Sequence, residues 1–154
     1  MKIPNWAQNL TLEAILYLQA KGYKAELPDI NWRHGSASYS SGHATNKEKI
    51  TITAGKNRLD QKLVLLHEIA HTATDNEIKY WNIERAKKAG WHFEKEPIEP
   101  IIIKQVCHTD KFWDTAWDLY RQFGLPIRYC LNREKGYRKG AVTAYRRNRK
   151  SKGL

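Results

Sequence analysis

The chain has 154 residues, 41% of them hydrophobic and 28% charged, with a formal net charge of +11. That length suits one domain around a single core and is short for two. No stretch reaches the roughly 18 to 20 consecutive apolar residues that a membrane span needs. Two cysteines, Cys107 and Cys130, stand outside any CxxC pattern, which excludes a disulfide scaffold or a zinc ribbon and fits a reducing compartment. Residues 1–6 hold no apolar run of signal-peptide length, so the expectation is a cytoplasmic protein with no membrane partner.

Taken in chain order, residues 11–21 read as a short amphipathic helix, with Thr11 as N-cap and Gly22 at the left-handed position after its end. Residues 23–27 and 30–32 are candidate strands. A Ser/Gly-rich stretch, 35–42, then leads into His43-Ala44-Thr45, a polar turn at 46–48 and the alternating Ile50-Thr51-Ile52-Thr53, which together predict a hairpin. The strongest helix spans 57–74: Asn57 caps it, Asp60 takes the third helical position, and Leu59, Leu63, Leu66 and Ala70 form an apolar stripe. Residues 77–90 read as a weakly patterned helix ending at Gly90, followed by the interruptions Pro97 and Pro100. A second strong helix covers 109–123, with Thr109 as N-cap and Phe112, Trp113, Ala116, Trp117, Tyr120 and Phe123 on one face. Gly124 and Pro126 stop it, and 127–131 is a candidate strand.

The positive charge is unevenly placed. Residues 132–154 hold nine Lys/Arg against a single acid, Glu134, so this segment carries +8 of the +11. The expected organisation is therefore a body, 1–131, and a basic C-terminal tail, 132–154. Tyr137 and Tyr145 interleave with Arg138, Lys139, Arg146, Arg147, Arg149 and Lys150, a pattern suited to DNA or RNA: cations for phosphate, rings for base stacking. A solvated, unoccupied charge run is the competing reading of the same residues.

His67-Glu68-Ile69-Ala70-His71 is an HExxH motif inside the strongest helix. Residues four apart on a helix project about 40° apart, so both imidazoles can reach one tetrahedral zinc. Glu68 lies about 100° from His67 and about 60° from His71, flanking the metal face without sharing it. A general base for metal-activated water belongs there. A zinc peptidase needs a third protein ligand, and the downstream candidates are Asp75, Glu77, Glu84, His92 and His108. His108 leads, because it immediately precedes a well-formed helix start one turn ahead of Phe112. Glu84 is the alternative, and His34 and His43 read as loop residues. Tyr129 and Tyr137 are candidate oxyanion donors, with core packing as the plainer reading.

Leu65-Leu66-His67-Glu68-Ile69-Ala70-His71, followed by His108-Thr109-Asp110-Lys111-Phe112-Trp113, resembles the SprT-like or Spartan-type zinc metallopeptidases, including small phage-type members. In that family an HExxH helix is followed by a second helix opening on His-x-x-x-Phe, whose His completes the zinc site. The segment 41–53 is similar to the strand that runs beside the family's active site, and the resemblance covers about residues 40–123. It implies an α+β, minimal zincin-like fold: a small, mostly antiparallel sheet packed on the HExxH helix, with further helices. It also implies zinc held by His67, His71 and His108, Glu68 as general base, and a protein or peptide substrate, with nucleic-acid-associated proteins as one class. The chain departs from the family in a longer 72–107 insertion and in lacking a C-terminal zinc ribbon. Substrate backbone is expected along an edge strand at 50–53. A different class of function, a catalytically idle nucleic-acid-binding module with a structural zinc, is disfavoured by Glu68, since a structural site needs no base.

Overall fold

A computed structural model describes residues 2–81, 83–95, 101–137 and 140–154. Pro97, Pro100, Arg138, Lys139 and the side chain of Tyr137 lie outside the described residues. Six helices and five strands are present among them, in an α+β arrangement. Contacts divide the chain into two units, residues 1–75 with 110–154, and residues 76–109. No helix of the described residues is long and apolar enough to cross a membrane.

In the larger unit, α1 (Asn5–Ala20) begins six residues before the expected start, with Pro4 extended at its N-cap. Thr11 is not the cap. Its hydroxyl donates to the Ala7 carbonyl at 2.7 Å, which satisfies it in mid-helix. The buried stripe Ala7, Thr11, Ala14, Ile15, Leu18 runs straight through it. Gly22, at φ 91°, ends the helix as expected, with Tyr23 N–H returning to the Leu18 carbonyl at 3.0 Å. Residues 23–27 form no strand; the Ala25 carbonyl is instead taken by Gln19 Nε2.

Three strands follow: β1 (Asp29–His34), β2 (Ser41–Asn46) and β3 (Lys49–Ala54), in the order β1-β3-β2. The β2–β3 pair is the expected antiparallel hairpin, its turn closed by Asn46 Oδ1 accepting from the N–H of Glu48 and Lys49. Strand β1, however, pairs with β3 in parallel, so the sheet is mixed rather than largely antiparallel. The reason lies in residues 35–40, which cross the exit of β3 instead of turning back beside β1. Gly35 N–H donates to Ala54 O, and Lys56 and Asn57 N–H donate to Ala37 and Ser38 O. A Cβ on Gly55 would lie 2.5 Å from the Tyr39 carbonyl oxygen, so only glycine lets the two backbones pass. A second correction follows: residues 50–53 are central, and the strand with a free edge next to the following helix is β2.

That helix, α2 (Arg58–Thr72), packs against α1, β2, β3 and α4. A helix covered on so many sides buries residues on more than one face, and Leu63, Val64, Leu65, Leu66, Ile69 and Ala70 are all buried. Asn57 caps it as expected, its side chain accepting from Asp60 N–H at 3.1 Å. The core joins these residues to Trp32, Ile50 and Ile52 of the sheet and to Phe112, Trp113, Trp117 and Tyr120 of α4 (Asp110–Gln122).

Residues 127–131 are helical, not a strand: they open α5 (Ile127–Tyr137). Cys130 and Glu134, four apart, are buried on it. The segment read as a tail continues into α6 (Gly140–Ser151), where the small residues Ala141 and Ala144 are buried and the helix packs on α4 and α5. Tyr145, a proposed stacking ring, packs on Trp117 with centroids 5.1 Å apart. In the smaller unit, β4 (Glu77–Trp81) pairs antiparallel with β5 (Ile101–Val106), and α3 (Ile83–Lys88) is capped by Gly90 at φ 95°. The expected 77–90 helix is therefore a strand followed by a short helix, since the β-forming run Ile78-Lys79-Tyr80-Trp81 finds a partner strand.

Candidate metal centre

The ring nitrogens of His67, His71 and His108 include one atom each that lie within 4.8 Å of one another, the one metal-capable group of three among the described residues. His67 and His71 come from successive turns of α2, and His108 stands two residues before α4. All three are half-buried. His71 stacks on Phe112, with ring centroids 4.1 Å apart and planes 19° apart, while Phe112 meets His67 edge-on at 4.9 Å. An aromatic wall on α4 thus limits how both rings of the HExxH pair can turn.

The other downstream candidates stand elsewhere. Glu77, Glu84 and His92 are exposed, and Asp75 pairs with Lys47, which holds its carboxyl below the ordinary aspartate range. His34 and His43 are exposed on β1 and β2. The Nδ1 atom of His108 lies 3.2 Å from Cys107 Sγ.

Glu68 is 5% exposed and lines a cleft of roughly 130 Å³ together with His67, Ser40, Ser41, Gly42, Arg133 and Glu134. Gly42 on β2 is what lets this strand approach. A Cβ there would stand 2.9 Å from Ile52 Cδ1, 3.0 Å from Val64 Cγ1 and 3.1 Å from Glu68 Cγ. The base position and the free strand edge are therefore in direct packing contact.

Two clusters behind the cleft are absent from the sequence expectations. In the first, His67 Nδ1 is 2.9 Å from Glu134 Oε2, whose side chain is 4% exposed. Tyr120, fully buried on α4, has its hydroxyl 3.5 Å from the same His67 nitrogen; burial, and then the neighbouring Glu134 charge, push that hydroxyl well above the usual tyrosine range, so it remains a donor. Cys130, one turn from Glu134, is pushed up to about 12 by burial and then by the same carboxylate, so it is an inert thiol. In the second cluster, Asp60 is wholly buried and accepts from Ser40 N–H at 2.5 Å, Tyr129 Oη at 2.7 Å, Arg133 Nε, and Arg133 Nη2 at 3.2 Å. Arg133 Nη2 also donates to Ser40 O at 3.2 Å. Tyr129, considered above as an oxyanion donor, spends its hydroxyl on Asp60. The signals for these groups were present but faint: Glu134 is the only acid in the basic segment, and Asp60 is seven residues before His67.

Among the basic residues singled out, Arg146, Arg147, Arg149 and Lys150 are exposed on α6, and Arg147 pairs with Asp110 at 3.3 Å.

The three imidazoles of His67, His71 and His108 lie close enough to hold one metal ion. No protein-family model matches the chain, and no curated protein or solved structure matches it significantly.

Proposed function

We propose that the chain is a zinc-dependent metallopeptidase of the HExxH class, with a zincin-like arrangement of the kind the SprT-like resemblance implies. One observation carries the reading: His67, His71 and His108 gather their ring nitrogens while Glu68, next to His67, lines the adjoining cleft. A structural site would need the imidazoles alone. Zinc held by them would supply Lewis acidity to a water and to the scissile carbonyl. Glu68 takes the water proton on its carboxylate and delivers it to the leaving amine nitrogen.

Strand β2 supports the substrate side. Its edge is unpaired within the sheet, and Ser41 and Gly42 line the cleft beside Glu68, so an extended peptide adding to β2 would run past the base. Recognition through backbone hydrogen bonds carries little side-chain selectivity, which suits an enzyme for unfolded or extended protein. The exposed Arg146, Arg149 and Lys150 of α6 give it a surface for nucleic acid, and proteins bound to DNA or RNA are the substrate class we assign.

The test is Glu68→Gln. The variant should take up zinc as the wild type does and lose cleavage of an unfolded protein such as casein by about 10²-fold or more, the typical range for removing a general base. Cleavage at the wild-type rate by the variant would remove the mechanism. A zinc-loaded wild type that cuts no unfolded protein or peptide pool would remove the peptidase.

A further inference from the structure

We propose that Glu134 is a positioning residue for the metal centre: it fixes His67 in the Nδ1–H form and presents Nε2 to the metal. The proposal rests on the metal-binding reading of the three histidines and is independent of peptidase activity.

Glu134 lies in the most basic part of the sequence, with Arg133 and Lys135 beside it, yet it is buried rather than spread among those cations. A buried carboxylate is costly unless its oxygens are taken. Here Glu134 Oε2 is met by His67 Nδ1 at 2.9 Å. Tyr120 Oη stands 3.5 Å from the same ring nitrogen, so Glu134 at 2.9 Å is the nearer partner of His67. An ionised carboxylate only accepts, so the Nδ1–H of His67 donates to Glu134 Oε2. Because Nδ1 carries its proton toward the carboxylate, the lone pair is on Nε2, at the opposite edge of the ring. A carboxylate behind a ligating imidazole raises its basicity and removes the entropy of choosing a tautomer and a ring orientation.

A purely structural role, an ion pair that ties α5 down, is the competing account. Arg133 and Asp60 already perform that task one residue earlier, with four hydrogen bonds converging on Asp60. Glu134 adds nothing to docking that requires it to face a metal-capable histidine. The two accounts also differ in a measurable way. A structural residue changes stability; a positioning residue changes metal affinity in protein that is still folded.

The experiment uses the full chain and Co²⁺ as a spectroscopic probe, with Kd obtained by chelator competition and folding checked by circular dichroism. Glu134→Gln should weaken Co²⁺ about 10- to 100-fold, and Glu134→Asp should recover part of that loss. A folded Glu134→Gln that binds Co²⁺ like the wild type overturns the positioning role and leaves the metal centre standing. Wild-type protein that is folded and binds no Co²⁺ overturns both. If Glu134→Gln does not fold, long-range ¹H–¹⁵N spectra of zinc-loaded wild type decide: a His67 ring protonated at Nδ1 and metallated at Nε2 supports the assignment, and metal on Nδ1 overturns it.

Discussion

Replacing Asp60 by alanine removes a carboxylate with no solvent exposure that takes the guanidinium of Arg133, itself 13% exposed, together with Ser40 N–H and the Tyr129 hydroxyl. Removing one member of a buried ion pair costs about 3–5 kcal/mol, because the remaining charge stays desolvated. For a domain of this size each kcal/mol lowers Tm by about 2–4 °C, so Asp60→Ala should melt about 6–20 °C below wild type. Urea denaturation gives the free energy directly, with the m-value confirming that the folded state remains compact. The double variant Asp60→Ala, Arg133→Met is the sharper measurement. Replacing both charges by apolar groups is often close to neutral, so the double variant should be more stable than Asp60→Ala alone. An Asp60→Ala loss below about 1 kcal/mol, or strictly additive single variants, would refute the view that this pair fastens α5 to α2.

Two further outcomes are expected. Gly42→Ala should cost about 1–3 kcal/mol from overpacking and, because its Cβ would press on Glu68 Cγ, should lower cleavage more than that stability loss explains while zinc content is kept; parallel thermal melts, metal analysis and peptide assays separate these effects, and wild-type values in all three would show that β2 tolerates a side chain at this point. Changing Arg146, Arg149 and Lys150 together to Gln should reduce the slope of log K against log salt for single-stranded DNA by about 2, at roughly 0.7 for each phosphate that is no longer neutralised, with no change in fold; an unaltered slope in fluorescence anisotropy would take nucleic acid away from α6. Truncation at residue 131 would not isolate the positive charge, since it deletes Arg133 and Glu134 as well.

The parts of the site set by local periodicity were legible in the sequence. An HExxH pair on a capped helix, and a histidine just ahead of the next helix, are patterns of spacing, and His67, His71 and His108 come together accordingly. Gly22, Asn57 and Gly124 mark helix ends for the same local reasons. What the sequence concealed depends on partners distant in the chain. Residues 127–131 alternate well enough for a strand, but Cys130 and Glu134 are buried together only in a helix, and Glu134 is 67 residues from the histidine it meets. Basic composition made 132–154 look like an appendage, because charge reports the exposed face and says nothing of Ala141, Ala144 and Asn148 on the other. Strand order was equally hidden, since a parallel β1–β3 pair requires the crossing at 35–40, visible only once Gly55 and Tyr39 are seen to touch.

The helix α2 does more than carry the motif. Asp60, His67 and His71 lie at intervals of seven and four residues, which places them within about 40° of one another around the axis. The polar stripe that ends in the two histidines thus begins at Asp60, about 10 Å closer to the helix start at 1.5 Å per residue. Helix α5 answers both ends of that stripe from adjacent positions: Arg133 reaches Asp60 and Glu134 reaches His67. An apolar contact would tolerate a slip or a small rotation of α5. The buried ion pair does not, because a slip of even one residue would carry Arg133 away from Asp60 and leave both charges buried without each other. The ion pair therefore fixes where α5 docks, and that docking brings Glu134 to within 2.9 Å of the His67 ring. On this reasoning the loss of Asp60 would be felt at the metal as well as in the melting curve, and the Co²⁺ affinity of folded Asp60→Asn should fall in the same direction as that of Glu134→Gln, by a smaller factor.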